Sequence, residues 1–395
     1  MSERHNRGQA SRMNLRFAWL TPDDLKAARA EWVDLTQNAL SANPFYAPGF
    51  VLAHTETAGW AEGVHCAGVW HEGPQGRRLD ALAFITRDDL RWGWPIRTWR
   101  SWSEKYILKF EPLYRAETAG LARHVLFDGL SENGRERTLL LNREETWQGP
   151  LADGPPAETG KAQCVRTGRR AGLFARPDVD AYMRAEVSKK FRANAERSLR
   201  RLADLGDVTF RTVRTGPEVD AAVGDLMRLE LAGWKGRQGT ALASCAQDKA
   251  FGLAALRAGQ CPKVVCDVLS LNGTAIAVSV NVVSAGWFFG FKSAFDEGFK
   301  KQSPGTALHY LGARAILEDS SIIGADSTCV EGHPLESVWC DRISFATTIR
   351  SVGAPISASR LKYVLQTEAM RGSAKSTVKT IYYSASSKKV TATKR

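Results

Sequence analysis

The stretch Lys300-Lys301-Gln302-Ser303-Pro304-Gly305-Thr306-Ala307 lies between an apolar run, Trp287–Ser293, and an amphipathic one that begins at Pro304. Serine is a favoured N-cap, and proline at the first helical position sacrifices no hydrogen bond, so a helix is expected from Pro304 to about Asp319. Its apolar residues Leu308, Leu311, Ala315 and Ile316 recur at i, i+3, i+7 and i+8, which is one helix face. Gly305 places no side chain over the first turn. The amides of Gly305, Thr306 and Ala307 are expected to lack intrahelical partners and to face outward. With the helix dipole and two lysines just upstream, such a turn suits a phosphate or pyrophosphate. Many helices begin Ser-Pro without holding an anion, so the meaning of the turn depends on its surroundings.

Those surroundings are ordered. Upstream, Val264–Leu271 and Thr274–Val283 read as a hairpin around Asn272-Gly273, a dipeptide suited to a type I′ turn. Ile276, Val278, Val280 and Val282 alternate with Ala277, Ser279 and Asn281, the period of a strand. A strand Val208–Val213 and helices Pro217–Gly233 and Ala246–Ala258 come before, and Trp287–Ser293 follows after a turn at Ser284–Gly286. Beyond the Pro304 helix, a strand Ala325–Val330 and a short helix Leu335–Ile343 are expected.

The first half repeats that order loosely: a strand Leu15–Leu20, a helix from Asp23 or Asp24 to Leu35, and a helix Gly49–Thr57. Strands Gly63–Trp70 and Leu79–Ile85, a Trp-rich stretch (Trp92, Trp94, Trp99, Trp102), a helix Thr118–Leu130 and a strand Thr138–Leu141 complete it. One α/β fold in two tandem copies is therefore expected. Residues 1–14 read as a flexible N-terminus, 15–175 as domain one with a surface loop at 151–160, 176–360 as domain two, and 361–395 as a basic tail. A helix at Asp178–Leu205 opens domain two. Phe191, Ala195, Leu199 and Leu202 share one side of it, and Lys189, Lys190, Arg197, Arg200 and Arg201 the other. It is either a platform for a polyanion or a packed helix with a solvated basic face.

The chain has 395 residues and a formal charge of +12. Residues 371–395 carry +7 with no acid, leaving +5 for the rest, so the folded body is only mildly basic. The apolar runs are too short for a membrane helix. The seven cysteines show no CxxC pair, and the seven histidines are dispersed. Reduced thiols, no metal site and a cytoplasmic protein are expected.

The strings LELAGWKGRQGTAL (229–242), LNGTAIAV (271–278), FKSAFDEGFKKQSPGTAL (291–308) and ADSTCVEGHPLESVWCDR (325–342) resemble the CelD/BcsL-type acetyltransferase domain, a branch of the GNAT superfamily related to the FemAB peptidyltransferases. The resemblance covers residues 180–345 well and the first half loosely. It implies an α/β (α+β) fold of tandem GNAT-like domains, each a mixed, mostly antiparallel sheet flanked by helices, the first of them degenerate. It implies an acyl-CoA, acetyl-CoA above all, lying where Trp287–Ser293 and Ala325–Val330 splay apart. The pyrophosphate would rest on Gln302, Ser303, Gly305, Thr306 and Ala307, and the pantetheine arm on main chain near Lys292 and Ser293. Gly290 would mark the bulge that opens the splay, or be a plain close-packed glycine. The corresponding first-half turn, Glu111–Glu117, lacks the Ser-Pro-Gly arrangement, so only the second domain is expected to bind donor.

Candidate bases are Asp326, Glu331 and His333, with Asp326 alternatively a buried structural carboxylate and His333 an ordinary loop histidine. Trp234, Lys235, Arg237, Asp296 and Trp339 are candidates for the acceptor side. An Asp296–Lys292 ion pair and a plain helix end at Trp234-Lys235-Gly236-Arg237 are the alternatives. The expected reaction is acyl transfer to an amine or hydroxyl, with a small-molecule or glycan-precursor acceptor from the cell envelope or a polysaccharide. A Fem-like transferase using aminoacyl-tRNA and a catalytically inert adaptor are the alternatives. Nucleic acid is otherwise not an expected partner.

Overall fold

In a computed structural model, residues 14–59, 63–74, 76–91, 93, 95–132, 138–146 and 162–371 are described. The loop expected at 151–160 and the charged segment from 372 onward lie outside them. The first half runs β1 (Leu15–Leu20), α1 (Pro22–Ala27), α2 (Arg29–Gln37), α3 (Pro48–Ala58), β2 (Val64–Gly73), β3 (Gly76–Asp88), β4 (Arg97–Ser101), β5 (Leu113–Tyr114), α4 (Ala119–Leu130), β6 (Thr138–Thr146) and β7 (Ala162–Phe174). The second half begins with α5 (Val179–Ala185), α6 (Lys189–Ala203), β8 (Val208–Val213), α7 (Pro217–Ala232), α8 (Trp234–Arg237) and α9 (Ala246–Ala255). It continues with β9 (Lys263–Leu271), β10 (Thr274–Ser284), β11 (Trp287–Phe295), α10 (Pro304–Glu318), β12 (Gly324–Asp326) and β13 (Asp341–Ser351).

Local chemistry sets several boundaries. Thr21 and Asp24 cap each other's backbone at the start of α1, a reciprocal capping box. Asn272 and Gly273 take φ of 50° and 77°, as the hairpin turn requires. The single helix expected over Asp178–Leu205 is two helices, because Ser188 accepts the Phe191 amide and restarts the chain as α6. The strand expected to reach Val330 stops at Asp326, and Thr328 turns the chain with φ of 52°. In place of the helix expected at Leu335–Ile343 there is one short turn, Pro334–Ser337, and then β13. Strand β7 was not foreseen. Residues 358–371 are helical, so the segment set apart from 361 as a tail begins inside a helix.

The described strands form one 13-stranded, mostly antiparallel sheet in the order β1-β2-β3-β4-β6-β13-β7-β12-β11-β10-β9-β8, with β5 on β3. Each half contains one parallel pair in the same place: β4 with β6, and β11 with β12. The strands that follow are exchanged. β13 of the second half lies against β6 of the first, and β7 of the first half lies against β12 of the second. The two meet as antiparallel neighbours along most of their length. The boundary expected at 175/176 therefore separates chain segments but does not interrupt the sheet.

The core is also shared. Phe45 and Phe50 from the first half pack on Phe289, Phe291 and Phe251 from the second, and Tyr106 stacks on Phe251 with ring centroids 4.8 Å apart. The Gly49 amide donates to the Cys261 carbonyl at 2.7 Å. A Cβ on Gly49 would fall 2.6 Å from that oxygen, so only glycine lets α3 approach this closely. Among the described residues no helix is long and apolar enough to cross a membrane.

Candidate functional site

β11 and β12 run parallel for only three residue pairs: Trp287 with Gly324, Phe288 with Ala325 and Phe289 with Asp326. They part at Gly290. On its other edge β11 carries a bulge there, since Val280 faces Lys292 while Asn281 faces Gly290, leaving Phe291 as the extra residue. Gly290 is also closely packed: a Cβ would sit 2.9 Å from the Ser327 carbonyl oxygen, and the Thr328 hydroxyl donates to the Gly290 carbonyl at 2.6 Å. Both readings of this glycine hold together.

The start of α10 opens onto the parted strands. Ser303, Gly305 and Thr306 form one wall of a cleft of about 600 Å³, and Ser293, Ala294 and Phe295 form another. Trp234 and Lys235 lie across it, with Lys300 also on the lining. The turn differs from expectation in three ways. Ser303 adopts the left-handed conformation (φ 56°, ψ 52°), and its side chain makes no capping bond. Its carbonyl accepts from the amides of Thr306 (3.0 Å) and Ala307 (3.5 Å), which leaves only the Gly305 amide, of the expected three, without a described backbone partner. Ala307 is buried, and the Gln302 carbonyl accepts from Ser198 of α6, so neither residue lines the cleft. Packing of α6 under the turn selects this geometry: Ser198 also bonds the Ser303 carbonyl, and Arg201 donates to the Lys301 carbonyl at 3.3 Å.

A second cavity of about 200 Å³ continues beneath the parted strands, between α10 and the sheet. Lys235, Ser293, His309 and His333 line both spaces. At their junction the Glu230 carboxylate, with no exposed side-chain surface, holds Lys235 at 2.6 Å and Lys292 at 3.3 Å. Its other oxygen accepts the Leu242 amide at 2.9 Å, and Lys235 also donates to the Ser293 carbonyl at 2.9 Å. Burial alone would raise the Glu230 pKa, but the two ammonium groups outweigh it and hold the carboxyl below its usual range. Burial lowers the Lys292 pKa, Glu230 opposing.

Asp326 does not face the cleft. It is 1 % exposed and forms a two-point ion pair with Arg170 of β7, itself 3 % exposed, and accepts the Thr328 amide at 2.8 Å. Both its oxygens are committed, so it cannot serve as the base. Glu331 points to solvent in the following turn and is absent from both linings. His333 does line the site, but its Nδ1 accepts the Leu335 amide at 3.3 Å. That bond favours the neutral ring with its proton on Nε2, a donor rather than a base.

Of the residues expected on the acceptor side, Trp234 is half-exposed and Trp339 is buried against Phe288 while lining the smaller cavity. Arg237 is held by Glu297 at 2.7 Å. Asp296 does not pair with Lys292; it caps the turn that follows by accepting the Gly298 amide at 2.8 Å. In the first half, the turn at Glu111–Glu117 is occupied by its own Arg115, which is bonded to Asp80 and the Leu79 carbonyl. Among the described residues no three His, Cys, Asp or Glu side chains are grouped to hold a metal.

Three residues of the site escaped sequence reasoning: Glu230, His309 and Asp267. Glu230 falls three and four positions after Met227 and Leu226, on the apolar face of α7, where an acid is out of place. Asp267 interrupts the apolar run of β9 in the same way. His309 is one position past Leu308 on α10. Burial, and then the neighbouring His333, lower its pKa to about 4. No described residue bonds either of its ring nitrogens.

The unfolded chain takes up the His309 proton near pH 6.5 and the folded one only near 4, so this group costs stability as pH falls between them. Asp267 acts oppositely: burial raises it to about 6, so it adds stability as pH falls from 6 toward 3.8. Thermal melts at pH 7.5 and 5 should show a smaller loss for His309→Gln than for the parent. An equal loss would mean the ring is not held neutral.

Residues 189–326 match the family model described as an acetyltransferase (GNAT) domain. The matched part of the chain, α6 through β12, contains both cavities' main walls. No curated protein sequence matches the chain. Among solved structures, FemX is similar at 9% identity with a TM-score of 0.50, covering 86% of this chain and 96% of that one. At that identity the likeness shows a shared fold. A conserved protein of unknown function from Bacteroides thetaiotaomicron (13% identity, TM-score 0.47, 85% and 99% covered) and a tandem GNAT protein from the clavulanic acid pathway (14%, 0.39, 87% and 100%) are also similar.

Proposed function

We propose that this protein is an acyltransferase that takes its acyl group from a coenzyme A thioester and passes it to an amine or hydroxyl. The observation that carries the proposal is the continuous path from the open start of α10 to the parting of β11 and β12. A pyrophosphate at the Gly305 amide would have the helix dipole, the Thr306 side chain and Lys300 around it. The arm would lie along Ser293 and Lys292, with the thioester at the junction of the two cavities. There the Lys292 ammonium stands ready for the charge that develops on the carbonyl oxygen. His309, neutral above about pH 4 and with no described residue bonded to either nitrogen, replaces the three bases expected earlier as the acceptor of the nucleophile's proton. The envelope or polysaccharide acceptor and the cytoplasmic location stay with this reading.

One observation favours a second donor. Lys189, Lys190, Arg197, Arg200 and Arg201 of α6 are exposed, and α6 packs directly against the turn before α10. A charged tRNA could lay its backbone on that stripe and its aminoacyl end in the same cleft. Calorimetric titration separates the readings. Acetyl-CoA or free CoA should bind the full chain with one site and little salt dependence. Tight, strongly salt-dependent binding of tRNA without CoA binding selects the second reading, and binding of neither selects an inert adaptor.

A further inference from the structure

Four adjacent strands carry a polar row across the face beneath α10. Thr212 on β8 faces Asp267 on β9, which faces Ser279 on β10, which faces Ser293 on β11. The far end of this row from the cleft is the floor of the 200 Å³ cavity, where Asp267 meets Ser279, Asn281 and Gly312. Asp267 is 4 % exposed. Its Oδ1 accepts from the Thr212 hydroxyl at 2.7 Å, and no described residue donates to its Oδ2. That oxygen looks toward α10: a Cβ on Gly312 would stand 3.0 Å from it, so the glycine keeps the space open. Arg214 is paired with Asp319 at 2.7 Å, and its charge acts on Asp267 without a described ion pair or hydrogen bond between them. The charged and titratable groups lining the same cavity are Lys235, Lys292, His309, Cys329 and His333. Both lysines are held by Glu230 at the opposite end.

A carboxylate withdrawn from water with one oxygen uncommitted is costly, and the cost is relieved by a cation brought to it. The cavity runs from Lys292, where the thioester carbonyl would lie, to Asp267. Two strand spacings, about 10 Å, separate the Asp267 and Ser293 backbones. A short group attached to that carbonyl would therefore extend toward Asp267. The ends of the cavity have opposite character: ammonium groups where negative charge develops, a carboxylate where the chain of the acyl group ends.

We propose that the transferred acyl group carries a protonated amine, and that Asp267 is the residue that selects it. The donor would then be a short aminoacyl thioester, a conclusion that rests on the coenzyme A reading above. The cavity holds only a short chain, which excludes long fatty acyl groups.

The test compares two nearly isosteric donors, β-alanyl-CoA and butyryl-CoA, which differ by an ammonium in place of a methyl. On the full chain, calorimetric titration should give a Kd at least tenfold lower for β-alanyl-CoA. Asp267→Asn keeps the Thr212 contact and should remove that difference while leaving free CoA binding unchanged. Equal affinity, or tighter butyryl-CoA binding, in the parent protein overturns the inference and leaves the coenzyme A reading standing. If no CoA compound binds at all, that reading fails and this one falls with it. The parent-protein comparison decides the matter even if the variant does not fold.

Discussion

Gly305→Glu is expected to abolish the stabilisation that acetyl-CoA, as the proposed donor, should give to this protein. A ligand at a hundred times its Kd stabilises the folded state by about 2.7 kcal/mol. In the variant the new carboxylate would stand where the pyrophosphate is proposed to rest, beside the one free amide of the turn. The substitution does not itself break the fold. A Cβ at Gly305 would meet the Phe295 ring at 3.4 Å, a tight contact with a side chain that can yield. Gly305→Ala is therefore the control and should keep most of the thermal shift, because it adds a methyl but no charge. Differential scanning fluorimetry of the three proteins, with and without acetyl-CoA, reads the result. A full shift in Gly305→Glu would place the donor's phosphates somewhere other than this turn.

Asp326→Ala is expected to be among the most destabilising single changes in the chain, by about 3–5 kcal/mol. It would strip Arg170 of both oxygens of its two-point ion pair while the guanidinium stays buried between β7, β12 and β13. The Arg170–Asp326 pair also joins the halves, since Arg170 comes from the exchanged strand of the first half and Asp326 from the second. Urea denaturation gives the measurement. A catalytic Asp326 would instead leave the midpoint near that of the parent and remove turnover, and that result would refute the structural assignment. The double change Arg170→Met with Asp326→Leu should recover a large part of the loss, because it removes both buried charges together.

Much of the second half was legible. The hairpin at Asn272-Gly273, the meander through β11 and the helix from Pro304 all lie where periodicity and turn chemistry put them. These are local signals, carried by residues within a few positions of one another. The turn at Ser303 was legible as a turn but not in its hydrogen bonding. Serine and proline argued for a side-chain cap, whereas packing of Ser198 and Arg201 from α6 held Ser303 left-handed. The site residues followed the same division. Lys235, Ser293 and His333, named with the family likeness, and Gly305, read from the turn itself, do line the cleft. Asp326 was named for its place in the expected strand beside the splay, and its partner Arg170 lies 156 positions away, in a strand not anticipated at all.

Strands β7 and β13 show why. Each lies at the middle of the sheet; β7 is rich in Arg and Gly and β13 in Arg, Thr and Ser, without clean alternation. Gly168 has no side chain because the Phe345 ring of β13 fills that space; a Cβ there would be 2.4 Å from the ring. Such a pattern makes sense only once the neighbour is known. The sequence by itself determined which segments are strands and helices in most of the chain, where the anion-suited turn falls, and that the order repeats. Only the tertiary structure decided that the last strands change places between the halves, that Glu230 gathers two lysines, and that Asp267 opens into a cavity. The physical reason is that hydrophobic period and turn chemistry act over a few residues, whereas a strand's neighbours and a buried charge's partner are set by contacts between parts of the chain far apart in sequence.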